Sequence, residues 1–209
     1  MLIHPSDIDT LRLKVKDYMS MKRYNHTLGV ERAAAKLGKY CLPEQIDKLR
    51  SAALLHDISK ELPAEEQMRI LASTDGIVES DFASPPAHHA FTAPFIVRRD
   101  FPNFADKDIL SAVFNHTTGS CDMSIFDEII FIADYIEDGR EYAHCVKTRE
   151  LLYERLNTSR DTEERIRWLH VAVVEILNFT IDYLSGKKMF INERTIAARN
   201  EFLKKISLP

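Results

Sequence analysis

The sequence predicts an all-α fold in a single domain. Glycine is scarce, at 6 residues in a chain of 209, and a sheet-rich fold with many tight turns normally needs more of it. Helix-start signals recur ahead of apolar residues at helical spacing, and no segment shows the period-two alternation that is typical of strands. We place the domain at residues 1–209, with its core at about 20–185, since this length suits one domain. We expect about eight or more helices.

The first half of the chain contains three helix-start signals. Ser6 and Asp9 form an S-x-x-D capping box, which predicts that the first helix begins there. Pro43 and Pro63 each stand before an amphipathic run. Proline is tolerated at the first position of a helix, where its missing N–H is not needed. We therefore expect helices to begin at these two prolines.

The second half contains three further signals. Asp106 precedes an apolar run and can cap the helix that leads to His116. Ser124 and Asp127 form a second capping box ahead of another apolar run. Residues 161–184 form the longest segment of helical periodicity. These signals predict that the C-terminal half is also helical.

Charge and composition exclude several function classes. The net charge of −4 argues against a dedicated nucleic-acid binder, which usually carries a basic face. No run reaches the roughly 18 consecutive apolar residues of a membrane span, and residues 1–5 lack the basic start of a signal peptide. The three cysteines are widely spaced, which favours reduced thiols. We expect a cytoplasmic protein without nucleic-acid or membrane partners.

Histidines and aspartates next to apolar runs are the most informative feature of the sequence. A histidine–carboxylate pair at a helix end is often only a cap or a core polar contact. Several of them that project inward from different helices instead form a mixed N/O pocket, and a metal is the usual reason for such a pocket. The members are His26, His56, Asp57, His88, His116 and Asp134.

Asp134 carries much of this argument. It follows the apolar run 129–133 and shares a helical face with positions that should be buried. A lone carboxylate is costly to bury there unless it is paired. No cysteine stands at a matching spacing, which disfavours a closed structural zinc site. Iron, manganese, cobalt or magnesium suits a set of histidines and carboxylates.

The order H…HD…D resembles the signature of the HD superfamily, and the finer pattern resembles the YqeK family of HD-domain proteins. The HD dipeptide alone is weakly specific, whereas HTTG followed by ADYIE-x-x-R is strongly specific. The resemblance covers nearly the whole chain, roughly residues 20–205. The segments that match are 23–30, 52–60, 116–119, 132–140 and 195–200.

The resemblance implies a single HD-superfamily helical domain with a metal, usually iron, and a nucleotide site that the C-terminal segment 186–209 closes. The metal ligands would be His26, His56, Asp57 and Asp134. The catalytic residues would be Asp57, Lys60, His88, His116 and Arg140. The nucleotide would contact Arg23, Asp57, Lys60, His88, His116, Asp134, Tyr135, Arg140, Thr195 and Asn200.

The chain departs from the family pattern at residues 88–94. The family has an H-G-x-x-G-A segment, whereas this chain has two successive histidines followed by Ala-Phe-Thr-Ala-Pro. When Thr92 and Ala93 are aligned with the G-A pair, the alignment selects His88 rather than His89 as the site residue. Pro94 then falls within the following helix, which is unusual but tolerable if the proline lies in the first turn.

The implied activity is the symmetrical hydrolysis of diadenosine tetraphosphate to two ADP, with ADP or GDP as product-like ligands. Three alternatives stay open at this point. The chain could perform another HD-type reaction on a nucleotide or a cyclic dinucleotide, it could be a non-catalytic nucleotide sensor, or it could be a helical scaffold with a vestigial site. The sequence leaves the base preference and the oligomeric state open, with a homodimer as one option.

Overall fold

A computed structural model describes residues 3–207 of the protein. Residues 1, 2, 208 and 209 of the expected domain lie outside the described part. Eleven α-helices and no strand occur within residues 3–207, which confirms the all-α prediction. The helices are α1 (Pro5–Val15), α2 (Met21–Cys41), α3 (Ile46–Leu55), α4 (Ala64–Ala72), α5 (Glu79–Phe82), α6 (His88–Asp100), α7 (Lys107–Asn115), α8 (Ile125–Ile136), α9 (Ala143–Thr158), α10 (Thr162–Gly186) and α11 (Glu193–Ser207).

The core lies between α2, α3, α8 and α10. Helix α2 packs along both α3 and α8, and α10 packs against α8, α9 and α11. Val30, Leu54, Ile130 and Val173 come from the four central helices and are fully buried in one continuous apolar cluster. Burying such a side chain contributes about 1.5–3 kcal/mol. Within the described part of the chain, no helix has the length and apolar character of a membrane span.

Two of the expected helix caps are confirmed, and a third cap that the sequence analysis did not predict begins α10. The side chain of Asp106 accepts a hydrogen bond from the backbone N–H of Asp108 at the start of α7. Ser124 and Asp127 form the reciprocal capping box of α8. Asp161 caps α10, which ends within two residues of the expected position. Each cap satisfies N–H groups that the first turn of a helix leaves unpaired.

The predicted start of the first helix was wrong. Helix α1 begins at Pro5, and the residue before it, His4, is the N-cap. The backbone N–H of His4 donates to Asp7 Oδ2 at 2.9 Å, so Asp7 takes the role that we expected of Asp9. The reason is that Pro5 suits the first helical position, which moves the start ahead of Ser6.

Two other prolines, Pro43 and Pro63, lie within a few residues of the expected helix starts, and Pro94 lies inside a helix. Pro43 opens a short 3₁₀ turn, and α3 follows it from Ile46. Pro63 immediately precedes α4. Pro94 is the seventh residue of α6 and not part of its first turn, so the carbonyl of Ala90 lacks its usual helical donor.

We predict that Ser124→Ala destabilises the protein by about 0.5–2 kcal/mol, because the substitution removes an N-cap hydroxyl. Ser6→Ala is the matched control, since Ser6 is exposed and does not cap α1, and it should cost less than about 0.5 kcal/mol. Urea denaturation followed by circular dichroism measures both values. An equal loss in the two variants would contradict the assigned helix starts.

Candidate metal and phosphate site

Four helices bring histidines and aspartates together at one place. His26 lies in the second turn of α2, and Asp134 lies in the last turn of α8. His56 and His116 are the residues at which α3 and α7 end, and Asp57 follows His56 directly. Two groups of three residues could each hold a metal ion, because their ligand atoms lie within 4.8 Å of one another. The first group is His26, His56 and Asp134, and the second is His56, Asp57 and His116.

The two helix-end histidines are oriented by their own helices. His56 Nδ1 donates to the carbonyl of Ala53 at 2.6 Å, and His116 Nδ1 donates to the carbonyl of Val113 at the same distance. The last carbonyls of a helix have no partner within the helix, so these bonds satisfy groups that need one. With Nδ1 protonated, the lone pair of Nε2 is free to face the centre of the cluster.

A carboxylate orients the third histidine. His26 Nδ1 donates to Glu137 Oε1 at 3.1 Å, and the N–H of Gly139 donates to the other oxygen of Glu137 at 2.6 Å. A Cβ atom at Gly29 would lie 2.2 Å from Glu137 Oε2. Position 29 therefore needs glycine to make room for this carboxylate. Glu137 is not among the site residues that the sequence predicts, so this contact was missed.

A half-buried arginine holds the loop that carries Glu137. Arg149 Nη2 donates to the carbonyls of Glu137 and Arg140 at 2.6 and 2.8 Å, and its Nε donates to the carbonyl of Ile136 at 2.5 Å. Three bonds from one guanidinium fix the backbone that leaves α8. The side chains of Glu137 and Arg140 therefore start from a rigid segment.

The inner nitrogen atoms face the two aspartates. His26 Nε2 lies 2.9 Å from Asp134 Oδ1 and 3.8 Å from Asp57 Oδ2, and His56 Nε2 lies 3.4 Å from Asp57 Oδ2 and 3.9 Å from Asp134 Oδ1. Both Nε2 atoms are buried, and neither has a hydrogen-bond partner among residues 3–207. Two unpartnered imidazole nitrogens and two carboxylates that face one another are the donor set of a divalent metal, so the residues fit such an ion.

The electrostatics of the cluster favour a cation. Burial raises the pKa of Asp57, but the neighbouring histidines outweigh burial and hold it well below its usual range. Asp134 behaves in the same way, with His26 and Arg140 as its main partners. Burial lowers the pKa of His26, yet the neighbouring carboxylates of Asp134 and Glu137 raise it to about 9. The centre therefore holds two ionised carboxylates, which attract positive charge.

Two arginines lie beside the aspartates. Arg23 Nη1 is 2.7 Å from Asp57 Oδ2, and Arg140 Nη2 is 2.8 Å from Asp134 Oδ1. Arg140 also donates through Nε to the backbone carbonyl of Asp134 at 3.1 Å. Both side chains are about one-third exposed, at 28% and 34%, so an anion from solvent can reach them. Guanidinium groups bind phosphate oxygens bidentately.

The expectation that His88 belongs to the site is wrong, because His89 takes that place. His89 Nε2 lies 3.2 Å from Asp57 Oδ1 and 3.1 Å from His116 Nε2. His88 Nε2 instead donates to the carbonyl of Phe82 at 3.1 Å. Neighbouring residues on a helix point about 100° apart, so only one of the two can face the cluster. The G-A alignment selected the wrong one.

Lys60 is a further polar residue of the site and contacts His89. Its Nζ donates to His89 Nδ1 at 3.0 Å and lies 3.4 Å from the carbonyl of Pro86. Thr117 Oγ1 is 3.1 Å from His89 Nε2. Burial lowers the pKa of Lys60 and lowers that of His89 to about 3. His89 is therefore a neutral ring between a lysine and the carboxylate of Asp57.

The remaining expected nucleotide contacts lie further out. Tyr135 is half-buried, Thr195 is buried and Asn200 is exposed, and among residues 3–207 no hydrogen bond joins these side chains to the cluster. Helix α11 does reach the turn that follows His116. A Cβ atom at Gly119, where φ is +68°, would lie 3.3 Å from Ala198 Cβ. The nucleotide roles of Tyr135, Thr195 and Asn200 stay predictions.

Comparison with known proteins supports this assignment. The chain is 31% identical over 189 residues to a symmetrical bis(5′-nucleosyl)-tetraphosphatase of Halalkalibacterium halodurans. The alignment covers 90% of this chain and 93% of the relative. It is 32% identical over 143 residues to the Bacillus subtilis protein of the same name, which covers 68% of this chain and 76% of the relative.

A solved structure and a family profile agree with these relatives. The crystal structure of a predicted HD superfamily hydrolase involved in NAD metabolism from Clostridium acetobutylicum superposes with a TM-score of 0.79 at 28% identity, over 94% of this chain and 97% of that one. The HD domain profile matches residues 23–139, a range that contains His26, His56, Asp57 and Asp134. The chain therefore belongs to the HD-domain family and, within it, to the YqeK group.

Proposed function

We propose that the protein is a metal-dependent hydrolase that cleaves diadenosine tetraphosphate symmetrically. One water molecule adds across the central phosphoanhydride, the P–O–P bridge breaks, and two ADP molecules leave. The observation that carries this proposal is the convergence of the inner nitrogens of His26 and His56 on Asp57 and Asp134, with arginines beside both carboxylates. Relatives that bear this enzyme name support the choice of substrate.

The proposed metal ligands are His26, His56, Asp57 and Asp134. A divalent transition metal suits two imidazoles and two carboxylates, and we favour iron, with manganese, cobalt or magnesium as alternatives. A metal bound there polarises a phosphoryl oxygen and lowers the pKa of water. Glu137 keeps His26 in the required tautomer through Nδ1, as carboxylates commonly do for metal-binding histidines.

The proposed substrate contacts lie on two sides of these ligands. Arg23 and Arg140 can exchange their carboxylate partners for phosphate oxygens once a polyphosphate is bound, since both guanidiniums are partly exposed. Lys60, His89 and His116 form the opposite wall. We propose that Lys60 neutralises phosphate charge and that the two histidines contact phosphate or transfer protons. His89 replaces His88 in this role.

The wider setting follows from the substrate. We propose a cytoplasmic enzyme that acts on small-molecule nucleotides, binds ADP or GDP as product-like ligands, and needs neither nucleic acid nor membrane. Another HD-type reaction would give other products: inorganic phosphate from a nucleotide, or a linear dinucleotide from a cyclic one. A nucleotide sensor would bind ADP without turnover.

One prediction of the proposed function concerns the products of the reaction. Metal-loaded protein incubated with a panel of dinucleoside polyphosphates and nucleotides should convert diadenosine tetraphosphate to ADP alone. In ¹⁸O-labelled water, one ADP of each pair should gain the label, because a single water attacks one of the two central phosphorus atoms. Chromatography with mass spectrometry measures both results. ATP plus AMP as products would contradict symmetrical cleavage.

The second prediction separates substrate binding from metal binding. Arg140→Ala and Lys60→Ala should keep the metal but lower kcat/KM roughly 10- to 150-fold, because a lost charge-assisted contact costs about 1.5–3 kcal/mol. Asp57→Ala should lose most of the metal itself. Arg160→Ala is the matched control, since that arginine is 85% exposed and lies away from the cluster.

Metal analysis and steady-state kinetics on these four variants test the assignment. Wild-type kcat/KM in Arg140→Ala would show that this arginine does not contact the substrate. Full metal content in Asp57→Ala would remove Asp57 from the ligand set.

A further inference from the structure

A row of aromatic rings lies beside the proposed metal site. We call it the aromatic ladder and define it as Tyr142, His144, Phe179 and Tyr183. The rings of His144 and Phe179 stack at 3.6 Å between centroids with an interplanar angle of 23°. Tyr142 and His144 are 10° from parallel, and Phe179 and Tyr183 are 14° from parallel. Rings from α9 and α10 therefore form one nearly parallel series.

The ladder is open to solvent at its end near residue 142. The side chain of Tyr142 is 67% exposed. Phe179 is 36% exposed and Tyr183 is 53% exposed. Contiguous exposed aromatic faces on a folded protein commonly mark a binding site. Burial lowers the pKa of His144, so this ring presents an uncharged π-face at neutral pH.

The ladder is continuous with the phosphate side of the site. Tyr135 follows Asp134 directly in α8, and its ring lies 5.6 Å from that of His144. Arg140 binds Asp134 and stands two residues before Tyr142, so their Cα atoms are at most about 7 Å apart. Positive charge therefore lies between the metal ligands and the open end of the ladder.

This order of groups matches the order of groups in a nucleoside polyphosphate. The metal ligands face the reacting phosphate, Arg140 faces the next negative charge, and the ladder offers a flat π-surface to the base. We propose that the open face of Tyr142, backed by His144 and Phe179, is the stacking subsite for one adenine of the substrate. This inference rests on the proposed function and adds the residues that bind the base.

The probe is ADP, compared with inorganic tripolyphosphate, which has the charge but no base. Removing a stacking ring costs about 5- to 150-fold in affinity. The double variant Tyr142→Ala with His144→Ala should therefore bind ADP roughly 5- to 150-fold more weakly than wild type and bind tripolyphosphate equally well. Tyr142→Phe should bind ADP like wild type, since stacking needs the ring and not the hydroxyl.

Calorimetry on metal-loaded protein gives both affinities. Phe95→Ala is the matched control, because Phe95 is an exposed aromatic of α6 outside the ladder, and its ADP affinity should equal that of wild type. Quenching of a 2-aminopurine analogue of ADP in wild type, and its loss in the double variant, would support stacking directly. Equal binding of tripolyphosphate by wild type and the double variant shows that the substitutions leave the fold intact.

The outcomes separate this inference from the proposed function. If wild type cleaves diadenosine tetraphosphate and the double variant binds ADP with unchanged affinity, the stacking subsite is overturned and the enzyme assignment stands. If the double variant changes only the oligomeric mass, measured by light scattering, the ladder is a contact between copies of the chain and the inference is overturned. A wild-type protein that binds ADP but does not cleave the dinucleotide overturns the proposed function alone.

Discussion

Two aspartates that share one small volume, the buried Asp57 and the half-buried Asp134, are the constraint on which the rest of the structure depends. Asp57 is 4% exposed, and its carboxylate faces the imidazoles of His56, His89 and His116. Ionised carboxylates in such a place are costly unless positive charge or several donors compensate them. The histidines, the two arginines and, in our proposal, a metal ion provide that compensation. The helices are arranged so that these groups meet.

Helix ends do much of this positioning. Helices α3 and α7 both stop at a histidine whose Nδ1 satisfies a carbonyl of its own last turn. The same bond that caps the helix therefore turns Nε2 toward the centre. His26 lacks a helix end and depends on Glu137, which in turn depends on Gly29 and Gly139. Packing and chemistry are coupled here, because a substitution at Gly29 would act on His26 through Glu137.

The sequence predicted what depends on local pattern. Helical class, two caps and most members of the cluster follow from periodicity, capping chemistry and motif order. The sequence did not predict features that depend on the direction in which a side chain points. His88 and His89 have similar sequence context, and only the rotation of α6 decides which one faces Asp57. The role of Glu137 requires knowing that α2 and α8 are adjacent.

The most direct test of the central claim is anomalous diffraction from crystals of the metal-loaded protein at the absorption edge of the metal. The account predicts one strong peak about 2.0–2.3 Å from the Nε2 atoms of His26 and His56 and from oxygens of Asp57 and Asp134, the usual range for such ligands. A metal held by other residues, or no peak between these four side chains in protein that contains stoichiometric metal, would contradict it.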